Sequence, residues 1–199
     1  FDMPAHPSAG NHDNTLANAL MYYYGSQNKP FVYRCINRLD RDTTGLTIVA
    51  KHALAGGILG NAVAKRAIHR TYYAVCSGCT PACMRISAPI ARKDASTIER
   101  CVDFKRGENA VTDFIRIKYN PDNNLSLVKL RLLTGRTHQI RVHMKYIGFP
   151  LIGDFLYNPD YTYISRQALH SGRLVFTHPV TGQKMNLISD IPSDMKSLF

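Results

Sequence analysis

LLTGRTHQIRVH, residues 132–143, is the stretch from which the fold is read. Leu132 closes a run in which Val128, Leu130 and Leu132 alternate with Lys129 and Arg131, the period of a strand with one buried and one wet face. The chain then passes through Thr134-Gly135 into a different pattern. Ile140, Met144 and Ile147 recur at helical spacing, and Gly148 and Pro150 stop the run. Thr137 is the expected cap. A strand that delivers the chain into a helix start leaves backbone N–H groups exposed, which favours an anion. Arg136 falls in the turn and Arg141 within about the first helical turn; a basic helix with a solvated face explains both equally well.

Working back from this junction, residues 125–133, 111–118 and 98–104 read as strands, with the turn Asn120-Pro121-Asp122-Asn123-Asn124 between the first two. Residues 79–97 read as loop or short hairpin, and 71–76 as a strand rich in β-formers. Residues 53–67 suggest a helix with Ile58, Leu59, Ala62 and Val63 as its apolar stripe, weakened by three glycines. Residues 45–50 (GLTIVA) suggest a buried strand. Residues 14–24 suggest a helix capped by Asn14 or Thr15, with Leu16, Leu20 and Tyr23 on one face and Gly25 as a stop. Strict βαβ repetition is absent. The expected class is α+β, a mixed and mostly antiparallel sheet with flanking helices around a central cleft, rather than a doubly wound fold.

The chain has 199 residues, room for one large domain or two small ones. Lys and Arg number 25 against 14 Asp and Glu, a net charge of +11 that points to a polyanionic partner, nucleic acid foremost. No apolar run approaches the roughly 20 residues of a membrane span. Phe1-Asp2-Met3-Pro4 shows neither the basic nor the apolar region of a signal peptide, and the opening reads as cut from a longer chain. Five cysteines without a secretory context suggest reduced thiols and a cytoplasmic protein. Cys76, Cys79 and Cys83 cluster, with Cys101 further on, so a metal-organised nucleic-acid module is one alternative.

Nucleotide loops of the G-x-x-x-x-G-K-[ST] and G-x-G-x-x-G kinds are missing, as are H-E-x-x-H and the zinc-deaminase signature. His138 and His143 are five apart and do not share a helix face. A second charge-dense stretch, Asn37-Arg38-Leu39-Asp40-Arg41-Asp42-Thr43-Thr44-Gly45, runs into the expected strand at 45–50. Asp40 and Asp42, two apart on an extended chain, would point to opposite sides, so one of them faces a given pocket. An acid flanked by arginines at a strand edge can stay ionised and face a substrate, or merely belong to a solvated loop held by local salt bridges.

At these two stretches the sequence resembles the RluA-type family of pseudouridine synthases. That family carries H-R-L-D-x-x-T-S-G before an apolar strand, then T-G-R-T-H-Q-I-R-V-H followed by G-x-P-L-x-G-D-x-x-Y. Here the first reads NRLDRDTTGLTIVAK and the second LTGRTHQIRVHMKYIGFPLIGDFLY. IHRTYYAVCSG between them and HSGRLVFTHPVTGQKM near the end also match. Asn37 stands where the family usually has His, and Thr44 replaces Ser. The family's first strand and any accessory RNA-binding domain are absent from residues 1–199, which are expected to form one catalytic domain.

The resemblance implies conversion of specific uridines to pseudouridine in structured RNA, ribosomal large-subunit or transfer RNA, with no cofactor; a monomer without a metal site is expected. It implies that Asp40 is the catalytic aspartate, that Arg141 pairs with its carboxylate, and that Tyr72 lies against the flipped uracil. Arg38 would fill the space left by the nucleotide or hold its phosphate, and Arg41, Arg136 and His138 would contact RNA. A catalytically silent RNA-binding or RNA-folding module on the same scaffold is the competing reading.

Overall fold

The computed structural model of the chain describes residues 2–7, 12–95 and 98–199. The elements in chain order begin with α1 (Leu16–Gly25), β1 (Thr44–Gly45), α2 (Ala53–Ala64) and β2 (His69–Ser77). Then come β3 (Cys83–Ser87), β4 (Ile90–Arg92), β5 (Arg100–Val102), β6 (Val111–Asn120) and β7 (Leu125–Leu132). The chain ends with α3 (Gln139–Tyr146), β8 (Leu169–Thr177), β9 (Lys184–Ile188) and α4 (Ser193–Lys196). The architecture is α+β: the main sheet runs β1-β8-β2-β7-β6-β3, with β9 added to β8, and among the described residues only β1 on β8 is parallel. A second sheet pairs β4 with β5.

The alternation at 128–132 does what its period demands. Val128 and Leu130 are fully buried and pack with Tyr72, Ile140, Met144 and Leu151 in the largest core cluster. Burying a side chain of this size contributes roughly 1.5–3 kcal/mol. Helix α3 presses Ile140 and Met144 onto this sheet, and Val142 on its other side packs with Ile90 of β4, Ala110 and Tyr157. Six consecutive residues, Gln139 to Met144, are therefore buried. The solvated basic helix is overturned, because α3 is covered on two sides and Arg141 is 1% exposed.

Several local expectations change. Position 138, not Thr137, caps α3: His138 adopts φ 56 and makes no side-chain cap bond. The Gln139 side chain accepts instead from the Arg136 N–H and the Thr134 hydroxyl. The strand expected at 45–50 pairs with β8 only at 44–45. Gly45 has φ +104, and a Cβ there would lie 2.3 Å from the Ser171 carbonyl oxygen, so a glycine is required where the chain leaves β8. Residues beyond it run against 34–36, through Ile36 N–H to the Ile48 carbonyl and Ala50 N–H to the Arg34 carbonyl. Residues 83–87 and 90–92 are strands in different sheets rather than one hairpin. Helix α2 ends at Ala64, and Ile58 is exposed while Ala55 and Leu59 are buried. In α1 Thr15 makes the cap and Tyr23 faces solvent, because only Ala17 is buried there.

Two buried histidines are held the same way. The Nε2 of His143 lies 2.9 Å from the Ala88 carbonyl and that of His170 lies 3.2 Å from the Ser189 carbonyl. Each Nδ1 meets a threonine hydroxyl at 2.9 Å, Thr112 or Thr44. A ring that donates through Nε2 and accepts through Nδ1 is neutral. Burial lowers both pKa values, against the pull of the carbonyl bonds. Above the ordinary histidine value of 6.5 the folded and unfolded chains bind these protons equally. Below it the unfolded chain takes them up first, so stability falls with pH. Thermal unfolding should show a flat Tm between about pH 7 and 8 and a decline from about pH 6.5 towards 5, of at most about 1.4 kcal/mol per pH unit per histidine. A Tm unchanged over that interval would show that these rings titrate alike in both states.

Candidate active site

Asp40 opens a β-turn, its carbonyl accepting from the Thr43 N–H at 2.9 Å. The turn replaces the extended chain expected here, and it separates the two acids. Asp42 pairs with Arg41 at 3.3 Å, whereas Asp40, with a side chain 29% exposed, lines a pocket of about 90 Å³. Thr43 anchors the turn from beneath, its hydroxyl accepting from the buried Gln167 amide at 3.1 Å.

Arg141 enters the same pocket from α3, 101 residues away, and donates through Nη1 to Asp40 Oδ2 at 3.0 Å. Its other nitrogens form a bidentate pair with Asp154, Nε to Oδ2 at 2.6 Å and Nη2 to Oδ1 at 2.7 Å. Asp154 is 0% exposed and also accepts from the Leu156 and Tyr157 N–H groups at 3.0 and 3.1 Å. The Phe155 and Tyr157 rings lie 5.3 and 5.0 Å from the guanidinium. Burial opposes the charge on Arg141, but its pairs with Asp154 and Asp40 outweigh that and hold it above the ordinary value. The fork thus fixes one carboxylate in the core and presents a second to the pocket, a geometry that suits a planar guanidinium.

β2 supplies the opposite wall and the docking point for Asp154. Tyr72 is 5% exposed and lines the pocket with Asp40. Across from it the β2–β8 register shifts, Thr71 facing Arg173 and Tyr72 facing Ser171, so Gly172 bulges. A Cβ on Gly172 would meet the Tyr73 ring at 2.5 Å, which is why this bulge has no side chain. Burial raises the Tyr72 pKa, with Asp40 adding to the rise and Arg70 and Ser171 opposing it. Three residues on, Val75 accepts from the Ile152 N–H at 3.1 Å, which holds the segment that carries Asp154.

His138 completes the floor. Its Nδ1 lies 2.9 Å from the Tyr157 hydroxyl, which accepts from the Arg100 N–H at 2.9 Å, and its Nε2 lies 4.0 Å from Asp40 Oδ2. The Tyr157 oxygen accepts from Arg100 and can give its own proton to Nδ1, the arrangement that leaves the Nε2 hydrogen facing Asp40. Burial lowers the His138 pKa and raises that of Tyr157 to about 12.

The structure brings Asp40, Tyr72 and Arg141 to one pocket. Arg38, Arg41, Arg136 and His138 line a larger groove of about 610 Å³ that opens from it. Arg136 is paired with Glu108, and Arg38 is exposed. Residue-level reading assigned no part to Asp154, Tyr157 or Arg70; the first two stand in the G-D-x-x-Y tail of the second motif, and Arg70 stands two before Tyr72. Among the cysteines, Cys76 is buried in the core and Cys79 and Cys83 are exposed. No group of three or more His, Cys, Asp or Glu side chains is placed to hold a metal among the described residues. No helix among them is long and apolar enough to cross a membrane.

Residues 2–146 match the family model described as RNA pseudouridylate synthase. The chain is 42% identical over 97% of its length to the uncharacterized RNA pseudouridine synthase YjbO of Bacillus subtilis, covering 68% of that protein. It is 38% identical over 99% of its length to the ribosomal large subunit pseudouridine synthase D of Zymomonas mobilis, covering 66%. Among solved structures, human RNA Pseudouridylate Synthase Domain Containing 1 superposes with a TM-score of 0.74 at 25% identity, over 88% of this chain and 74% of that one. The chain spans 64% to 68% of the length of the first curated relatives it matches.

Proposed function

The chain belongs to the RNA pseudouridylate synthase family, and from that premise we propose that it isomerises uridine to pseudouridine in structured RNA, ribosomal large-subunit RNA first. The observation that carries the reading is Asp40, an acid presented to a pocket and held by Arg141 at 3.0 Å, while Arg141 is itself clamped by a buried carboxylate. A carboxylate in a partly water-excluded site needs a fixed cation beside it, or it takes up a proton. The reaction breaks the bond from sugar C1′ to uracil N1, turns the base, and rejoins it through C5. N1 gains a hydrogen and C5 loses one, so nothing is oxidised and no group is imported. The base leaves its stack to enter the pocket, at a cost of a few kcal/mol that pocket contacts offset. Asp40 acts as nucleophile or base on the sugar or the ring.

Tyr72 lies beside the base in this reading. Its raised pKa keeps it a neutral phenol, so it orients a proton or hands one on rather than acting as a phenolate. Tyr72→Phe should keep RNA affinity within about threefold, since the ring stays, and slow turnover by about 10²-fold, as loss of a proton-transfer group does. Rates at saturating RNA that match the native chain would reduce Tyr72 to a packing residue.

The reading is tested by incubating the chain with a large-subunit RNA transcript and mapping pseudouridine. New pseudouridine at defined uridines supports it. Binding without isomerisation on ribosomal and transfer RNA alike would replace it with the silent RNA-binding module.

A further inference from the structure

A second groove, of about 510 Å³, opens on the other side of Arg70 from the Asp40 pocket. Its basic lining is Arg66, His69, Arg70, Arg131 and Arg136, and among the described residues no aspartate or glutamate contributes to it. Arg70, Leu132, Gly135 and Arg136 line both cavities, so the two adjoin across a shared wall. We propose that this groove holds phosphates of the RNA strand flanking the target uridine, with Arg70 at the junction between backbone groove and base pocket. The proposal rests on the reading of the chain as an RNA enzyme and adds where its substrate lies.

Three features separate this groove from a generally basic surface. The first is Arg66. Helix α2 closes with Arg66 N–H to the Val63 carbonyl at 3.0 Å and Ala67 N–H to the Ala62 carbonyl at 2.8 Å, and Arg66 takes φ 58. This is the left-handed helix stop at which glycine is favoured, and a side chain there is strained. An arginine at such a position is more easily explained by what it touches than by the helix it ends.

The second is Arg131. Asp113 faces it across the sheet, but Asp113 is already held by Arg85 through bonds of 2.6 and 2.8 Å. That leaves Arg131 without a hydrogen-bonded carboxylate among the described residues. The third lies in the wall. Asn37, 4% exposed, spends its Oδ1 on the Ile48 N–H at 2.8 Å, and its Nδ2 has no partner among the described residues. Arg70 Nε is likewise enclosed and unpartnered. Buried donors are normally paired, and these two, beside a lining without carboxylates, add positive potential that the Arg136–Glu108 pair offsets only in part.

The test uses the chain and a large-subunit RNA transcript, with Kd measured over a salt series. Arg66→Gly should leave Tm unchanged or higher while RNA binds about tenfold more weakly, a combination that a structural role for Arg66 does not give. Arg131→Ala should weaken binding similarly. Each should flatten the log–log salt slope by about 0.7, one phosphate contact on a single strand. In turnover the loss should fall on KM rather than kcat. Lys184→Ala, on the edge strand β9 and outside the groove lining, removes the same charge and should bind as the native chain does. Native Kd and slope in both groove variants would overturn the proposal, and so would an equal loss in Lys184→Ala. Native turnover is read on the same transcript. Groove-dependent binding without turnover would sink the enzymatic reading and keep the groove, whereas turnover with groove-independent binding would do the reverse.

Discussion

Asp40→Asn should give a chain that folds, binds RNA and turns over at least about 10⁴-fold more slowly, the scale of loss when the group that does the chemistry is removed. Folding should survive because the substitution leaves no buried charge alone. Arg141 keeps both bonds to Asp154, and an asparagine oxygen can still accept from Nη1. The Asp40 side chain is 29% exposed, so the change in its solvation is partial. The stability loss should stay below about 2 kcal/mol, the range of a hydrogen bond to a charged group. Release of the uracil C5 hydrogen in single-turnover reactions measures the rate, and urea denaturation the stability. An Asn variant within tenfold of the native rate would remove Asp40 from the chemistry and return the pocket to a binding role.

How much of this was legible in the sequence follows from the range of the interactions. The period-2 run at 128–132 and the helical spacing of Ile140 and Met144 are local, and both elements stand where those patterns place them. Asp40 and Arg141 sit in motifs whose resemblance to a known family spans the chain, so their meeting was expected although no local rule joins them. What failed was geometry set by tertiary packing. The left-handed His138 displaces Thr137 as cap, and it does so where its ring bonds Tyr157 and faces Asp40. The strand at 45–50 shortens because Gly45 is pressed against Ser171, a partner 126 residues away that no window of sequence contains. Asn37, which stands where the resembled family usually has His, is a buried joint that ties the motif to Ile48. Asp154 is the largest omission. Its spacing carries no signal of an ion pair, because the pair forms only when Val75 docks the 151–154 segment beside α3.

That omission changes what Arg141→Ala should do. With Asp40 as its only partner, Arg141 would be a residue of the pocket, and its loss would be read in turnover alone. Bound also to Asp154, it is one half of a buried pair, both members 1% exposed or less. Its removal strands a carboxylate in the core, which is destabilising by about 3–5 kcal/mol, a large part of the roughly 5–15 kcal/mol that a domain has. Turnover should fall by about 10²–10³-fold as well, the cost of losing one preorganised charge partner at a reacting group. The single variant confounds the two effects, and a pair of substitutions separates them. Asp154→Asn retains an oxygen for the Leu156 and Tyr157 N–H groups, and Arg141→Met retains most of the side-chain volume without the charge. Combined, they leave no buried charge unpaired, so at least half of the stability lost in Arg141→Ala should return, because replacing both members of a buried pair is far milder than breaking it. Turnover should not return, because Asp40 then faces the pocket with no cation at 3.0 Å. Urea denaturation and single-turnover rates on the native chain and the variants decide the matter. Recovery of rate together with stability would make Arg141 a scaffold residue and leave Asp40 to work without it.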